Sequence, residues 1–366
     1  MVEVGLQVAS PGRVHRPHRT DVRGSAQATI GNWEGVGMFH SIDQVVERIQ
    51  KGKRFLVVGH VGPDGDDVSC VASLVMILRK AGMTAEGCIA DRIPGFFHRL
   101  SDADLIRNVE DLHAYTFDTS ITVDASEPAR IGDAARLLGG GIPDITLDHH
   151  QTNRGFGVLN FCDPSYAAAA MIVQEIGERL VDLDPATAEM LLLGIATDTG
   201  FFRFTSVDER VFDCAAALIR AGANIGRIAE AVLEHRTLSE VRLRGRMFDT
   251  LELSADGRLA TAHVTADLIE ETGCTEEDTY GMVGELRSLH GVEVAIVFVE
   301  SPRGTVNASL RSKNRVDVSQ IALRFGGGGH VPAAGFSQPC TQLEDLMKDV
   351  IADAVRTIEQ SLPGQG

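Results

Sequence analysis

The chain has 366 residues, with 34 Lys and Arg against 51 Asp and Glu, a net charge of −17, and 44% hydrophobic residues. That length suits two domains, and the apolar content supports a sizeable core and excludes wholesale disorder. The acidic balance argues against tight, sequence-independent binding of long nucleic acid, which relies on many Lys and Arg contacts to phosphate.

In chain order, residues 1–37 stand apart. They are rich in Arg, His and Gly, show no sustained periodicity and lack the apolar core of a signal peptide. They read as a disordered or artefactual leader, with Met38 a reasonable start. Apolar residues at Ile42, Val45, Val46 and Ile49 have helical spacing behind Ser41 as N-cap. Phe55 to Val58 is a short apolar strand running into His60-Val61-Gly62-Pro63-Asp64-Gly65-Asp66, and Ser69 to Arg79 is helical. The pattern repeats. Thr84 to Ala90 is strand-like, Ile121 to Val123 is a strand ending at Asp124, and Ile142 to Leu147 is a buried strand ending at Asp148-His149-His150. Ala167 to Leu180 and Ala186 to Ala196 are helices, the second followed by Thr197-Asp198-Thr199-Gly200. Strands alternating with helices predict an α/β domain with a mostly parallel sheet flanked by helices.

Residues 207–246 read as a helical bridge broken at Gly222. From Leu251 strands are expected at 258–264, 292–299 and 305–310, helices at 278–289, 319–324 and 343–362: a smaller α/β domain. The expected division is therefore a leader (1–37), a first domain (38–206), a helical linker (207–246) and a second domain (247–366), the two domains facing each other across a cleft. The six cysteines (Cys70, Cys88, Cys162, Cys214, Cys274, Cys340) contain no C-x-x-C pair and read as reduced thiols of a cytoplasmic protein. No apolar run approaches the roughly 18 residues of a membrane span.

Acidic and imidazole side chains recur where elements end: His60, Asp64, Asp66, Asp124, Asp148, His149, His150 and Asp198. Each has an ordinary explanation. Pro63-Asp64-Gly65 is common turn chemistry, Asp124 could cap a helix, and Asp198-Thr199-Gly200 could stop one. Together they form a set of carboxylates and imidazoles suited to two divalent first-row ions, and such pairs of ions clamp a phosphoryl group.

The order of these motifs resembles the DHH phosphoesterase superfamily: H-x-x-P-D-x-D at His60 to Asp66, the strand-end Asp124, D-H-H at Asp148 to His150 and T-D-T-G at Thr197 to Gly200. Gly326 to Phe336, G-G-G-G-H-x-x-A-A-G-F, resembles the family's DHH-associated C-terminal domain. The similarity spans roughly residues 41–340 and is greatest to the compact bacterial oligoribonuclease (nano-RNase) and pAp-phosphatase subgroup. It implies two Mn²⁺ ions, one held by His60 and Asp64, the other by Asp66, His149 and Asp198, with Asp124 bridging. It further implies that Asp148 orients a histidine and that His150 faces the scissile phosphate, so His150, Asp148 and Asp124 are the catalytic expectation.

Arg311, Gly328, Gly329 and His330 are expected substrate contacts, with Arg203 a further candidate. The implied substrates are very short RNA, dinucleotides or 3′-phosphoadenosine 5′-phosphate (pAp). No long-DNA binding and no membrane association are expected, and a homodimer is an open assembly. The alternatives are a cyclic-di-AMP phosphodiesterase, an inorganic pyrophosphatase of the same superfamily, and a catalytically silent nucleotide-binding regulator. Departures from the family pattern are Asp67 and Ser69 after Asp66, and four alanines at 167–170 where relatives often carry hydroxyls.

Overall fold

The computed structural model describes residues 39–101, 104–138, 142–302, 304–313, 315–339 and 342–362. The expected leader and Cys340 lie outside the described residues. The chain forms two compact units, dividing between Ile228 and Ala229.

The first unit runs α1 (Ile42–Lys51), β1 (Arg54–Val58), α2 (Gly65–Lys80), β2 (Thr84–Cys88), α3 (Gly95–Leu100), β3 (Ile106–Arg107), β4 (Thr119–Val123), β5 (Ile145–Asp148), β6 (Leu159–Cys162), α4 (Ala169–Leu180), α5 (Pro185–Asp198) and α6 (Glu209–Arg220), and ends within α7 (Ile225–Leu233). Ser41 and Gln44 close a capping box on α1. β1 after Arg54 is buried and apolar, and β4 is buried throughout, its Thr119, Ser120 and Thr122 included, as expected of a sheet covered on both faces. The strand order is β3-β2-β1-β4-β5-β6, and every pairing is parallel. The chain builds outward from β1 to β3, then returns to lay β4 on the other side of β1. Connections leaving β1 and β4 therefore diverge, which opens a crevice at their C-terminal ends, where open α/β sheets bind ligands.

Two helices, α2 and α5, are buried nearly all round and approach closely because glycine faces side chain at two crossings. A Cβ on Gly65 would lie 2.3 Å from Thr197 Oγ1, and one on Gly194 would lie 2.1 Å from Ser69 Oγ, 2.6 Å from Asp66 Oδ1 and 2.7 Å from Ala170 Cβ. Ser69, a departure from the family pattern, thus fills the space that Gly194 leaves. Gly194→Ala is expected to destabilise the first unit by about 1–3 kcal/mol through overpacking, and Ser69→Ala should recover part of it; an unchanged denaturant midpoint would contradict this packing.

Several boundaries differ from expectation. α2 begins at Gly65, not Ser69, because Asp64 Oδ1 accepts the N–H groups of Asp66 and Asp67, both at 3.1 Å. β5 begins at Ile145 and includes Asp148. Ile142 is 63% exposed rather than buried, and Asp144 turns to accept from Ser120 N and Oγ at 2.8 and 2.9 Å. The short strands β3 and β6 carry no alternation long enough to read.

The second unit comprises α8 (Leu238–Asp249), β7 (Glu252–Ser254), β8 (Leu259–Val264), α9 (Ala266–Thr272), α10 (Met282–Arg287), β9 (Val294–Glu300), β10 (Thr305–Ser312), α11 (Val318–Arg324), β11 (Gly328–His330), β12 (Ala333–Pro339) and α12 (Leu343–Ser361). Its sheet is ordered β11-β12-β10-β9-β8-β7, with β8 and β9 parallel and the other pairings antiparallel. One face packs Ile296, Phe298 and Leu310 against α11 and α12. The other packs Ala262, Val264 and Val297 against α8, α9 and α10. Of residues 207–246, α6 buries Val211, Ala215 and Leu218, whereas α8, which runs on past 246, buries Leu243 in the second unit's core.

The glycine run is a close-approach device inside this sheet. A Cβ on Gly327 would lie 2.1 Å from Gly335 O, and Gly329, at φ +138°, would place one 2.5 Å from Ala334 Cα. Side chains there would push β11 off β12.

Candidate active site

Each expected metal-site residue in the first unit stands at the C-terminal edge of the parallel sheet or on a helix end facing it. His60 leaves β1, Asp64 and Asp66 sit at the start of α2, Asp124 follows β4, Asp148 to His150 close β5, and Asp198 ends α5. The crevice between β1 and β4 thus receives ligands from both sides of the point where the strand order reverses.

Three sets of side chains converge, each with ligand atoms within 4.8 Å of one another: His60, Asp64 and Asp124; Asp66, His149 and Asp198; and Asp124, His149 and His150. Asp124 is 3% exposed. His60 Nε2 lies 3.7 Å from its Oδ2, and His149 Nε2 and His150 Nδ1 lie 3.4 and 3.5 Å from its Oδ1. Its backbone has φ +54°, a left-handed conformation that costs a non-glycine residue on the order of 1–2 kcal/mol, and its N–H donates to Leu147 O at 2.9 Å. Strain stored at the centre of an ionisable cluster is a mark of a functional position.

The two central histidines are held through Nδ1, with Nε2 turned into the cluster: His60 Nδ1 is 3.0 Å from Val61 O, and His149 Nδ1 is 3.2 Å from Tyr166 O. Carbonyls placed this way fix the tautomer that leaves Nε2 able to ligate. His150 is held differently, its Nδ1 2.7 Å from Asp148 Oδ1. Asp148 is completely buried and also accepts from His149 N, His150 N and Asn153 Nδ2, at 2.8, 3.2 and 2.6 Å.

Asp66 is anchored by two backbone N–H groups and by Cys70 Sγ, which lies 3.5 Å from Oδ1. Its Oδ2 and Oδ1 accept the N–H groups of Ala169 and Ala170 at 2.5 and 3.0 Å. α4 has no side-chain cap of its own at Ala168, so a carboxylate from α2 caps it instead, where the helix dipole favours an anion. Asp67 is also buried and accepts His60 N at 3.0 Å. The alanine run and Asp67, which the sequence marks only as departures from a pattern, therefore brace the cluster. Of the substrate-contact expectations, Arg203 is exposed and its Nε donates to Gly200 O at 2.6 Å, beside Phe201 and Phe202, which are both left-handed. In the second unit, Arg311, Ala333 and His330 stand in one row across β10, β12 and β11. Burial and the nearby Arg287 charge hold the Arg311 pKa below its usual value.

The electrostatics fit a cation site. Burial opposes ionisation of Asp124, but His149 and His60 outweigh it and hold the carboxyl well below the usual range. Burial lowers the His60 pKa, but Asp124, Asp67 and Asp64 together carry it up to about 9. Burial and the Asp124 charge push Asp66 up to about 7, and burial and Asp66 push Asp198 well above its ordinary value. Without a metal the cluster thus holds extra protons. Asp124 Oδ1 is buried yet has no hydrogen-bond partner among the described residues. An orphaned buried carboxylate oxygen amid paired acids and oriented imidazoles is what a divalent cation would satisfy.

A pH dependence follows. His60 and Asp66 bind protons more tightly folded than unfolded, so their contribution to metal-free stability is full only at low pH. It is lost as pH rises through about 7 for Asp66 and about 9 for His60. The Tm of metal-free protein should fall between pH 6 and 10, and Mn²⁺ should reverse the fall while releasing protons to the buffer. A flat Tm across that window would contradict this charge arrangement.

Carboxylates and imidazoles converging at the switch point of a parallel sheet suit a divalent-metal site. The N-terminal domain profile of the DHH family matches residues 54–195, and the DHHA1 domain profile matches residues 257–358. The chain belongs to the DHH family. It is 34% identical over 330 residues to the bifunctional oligoribonuclease and PAP phosphatase NrnA of Thermus thermophilus, covering 88% of this chain and 94% of that protein. It is 27% identical to the protein of the same name from Bacillus subtilis, over 76% of this chain and 87% of that one. The fold is shared with an exopolyphosphatase-related protein from Bacteroides fragilis at TM-score 0.82 and 21% identity, covering 88% of this chain and 97% of that one.

Proposed function

We propose that the chain is a dinuclear, manganese-using phosphohydrolase of very short oligoribonucleotides and of pAp, acting in the cytoplasm. The observation that carries this reading is the pair of three-residue sets, His60–Asp64–Asp124 and Asp66–His149–Asp198, drawn together around one buried aspartate. His60 and Asp64 would hold one ion, Asp66, His149 and Asp198 the other, and Asp124 both. Bound there, the pair of ions would supply an activated water and neutralise charge on the phosphoryl oxygens.

The remaining steps belong to side chains. Asp148 holds His150 through Nδ1, so His150 Nε2 is the nitrogen that meets the scissile phosphate, donating to its oxygen or to the leaving group. Asp67 and the N–H groups of Ala169 and Ala170 keep the acidic side chains in place as charge redistributes. Arg311, Gly328, Gly329 and His330 in the second unit would receive the nucleotide, with Arg311 suited to a charge-assisted phosphate contact; Arg203 is a further candidate. The substrate class is supported by the activity named for the Thermus and Bacillus relatives and by the net charge of −17, which disfavours long nucleic acid. The described cysteines are free thiols, in keeping with a reducing compartment. A homodimer is the assembly we propose to test by light scattering.

The test is a panel: purified protein with Mn²⁺ offered a labelled dinucleotide, a 20-mer RNA, pAp, cyclic-di-AMP and pyrophosphate. Rapid turnover of the dinucleotide and pAp, with the 20-mer much slower, is expected. Turnover of pyrophosphate alone, or of cyclic-di-AMP to the exclusion of the dinucleotide, would sink the reading.

A further inference from the structure

The loop after Asp124 brings a cation to the cluster that no motif marks. Arg130 lies in the 3₁₀ segment Pro128–Leu138, with its Nη2 2.9 Å from His60 Nδ1 and 3.5 Å from His60 Nε2. Its backbone is tied to the loop that carries His60, since Arg130 O accepts from Val61 N at 2.7 Å. Two residues on, Gly132 is left-handed at φ +59°, and a Cβ there would lie 2.3 Å from Val61 Cγ1. The loops leaving β1 and β4 are thus fastened together, with Arg130 at the seam. The guanidinium makes no ion pair among the described residues.

The hydrogen bonds around His60 do not balance once Nε2 is committed to a cation. Nδ1 then carries the ring proton, and its acceptor is Val61 O at 3.0 Å. A guanidinium has only donors, so Arg130, 2.9 Å from Nδ1, faces an N–H there and finds no acceptor on the ring. A half-buried guanidinium beside a cation site needs an anion, and the anion this site is built to receive is a phosphoryl group. We infer that Arg130 is a substrate-binding residue that donates to a non-bridging oxygen of the phosphate placed at the His60 side of the cluster. It is a second phosphate contact, made within the first unit and independent of Arg311. This rests on the phosphohydrolase reading above.

The test compares wild type, Arg130→Ala and Arg130→Lys, with three readouts. Calorimetry with Mn²⁺ alone measures the metal site, titration of the Mn²⁺-loaded protein with inorganic phosphate measures the anion site, and steady-state kinetics on pAp separates KM from kcat. For Arg130→Ala, metal stoichiometry and affinity should stay within about twofold, while phosphate affinity falls and KM for pAp rises about tenfold to a hundredfold, the range of a lost charge-assisted contact. Arg130→Lys should recover part of both, since an ammonium still presents charge but not the planar fork, and it serves as the folded control. Unchanged phosphate affinity and KM in Arg130→Ala would overturn the inference. So would a drop of tenfold or more in Mn²⁺ affinity with phosphate binding to the loaded site intact, which would make Arg130 a positioning residue for His60. If wild type hydrolyses neither pAp nor the dinucleotide, the substrate reading has failed, and the phosphate titration still decides whether Arg130 binds the anion.

Discussion

Asp124→Asn is expected to leave the fold standing and to abolish the site. Asparagine tolerates the left-handed conformation that Asp124 occupies at φ +54°, so the turn after β4 should persist. What is lost is the one carboxylate that belongs both to the set with His60 and Asp64 and to the set with His149 and His150. Without it, His60 loses the strongest influence raising its pKa, His149 loses the same support, and the buried oxygen that lacks a hydrogen-bond partner is no longer an anion. Turnover should fall on the order of a thousandfold or more, the scale on which preorganised charge stabilisation acts, and bound metal should drop sharply. Near-normal turnover with full metal content would remove Asp124 from the centre of the account.

Asp148→Ala should be the most destabilising change at the site. Its carboxylate is wholly buried and accepts from four donors: the backbone N–H groups of His149 and His150, His150 Nδ1, and Asn153 Nδ2. Asn153 also donates to Ala125 O at 3.0 Å, so Asp148 ties the end of β5 to the segment that follows Asp124. Truncation leaves several buried donors without acceptors, for an expected loss of about 3–5 kcal/mol. Turnover should fall further than stability alone explains, because His150 is no longer held by Nδ1. Denaturant unfolding and kinetics below the transition check both parts. A change under about 1 kcal/mol with normal kcat would show that Asp148 neither braces nor orients.

The positions of the acids and histidines were legible in the chain because they fall where short strands end and where helices begin or end, and strand–helix alternation already implies a parallel sheet. The order β3-β2-β1-β4-β5-β6 was not, since periodicity says nothing about which strands pair, and it is the reversal at β1 and β4 that brings His60 to Asp124. The alanines at 169 and 170 read as plain helix because the groups with which they hold Asp66 are backbone N–H groups, which every residue but proline carries. Asp67 and Arg130 were hidden for related reasons. Asp67 looks like a first-turn acid, and only burial against His60 N gives it a task. Arg130 looks like a solvated charge, and only the meeting of two loops sets it beside His60. Gly328 and Gly329 read as substrate contacts, whereas Gly327 and Gly329 prove to be required for the approach of β11 to β12.

The central claim is that these acids and histidines form one dinuclear metal centre on which phosphate-ester hydrolysis depends. Metal-stripped protein titrated with Mn²⁺, with binding followed by calorimetry and dinucleotide hydrolysis followed in the same samples, tests it most directly. The account predicts no turnover at zero metal, two ions bound per chain, activity rising with occupancy of the second, and neither binding nor turnover in Asp124→Asn. Full turnover in the stripped, chelator-treated protein, or saturation of activity at a single ion per chain, would contradict it.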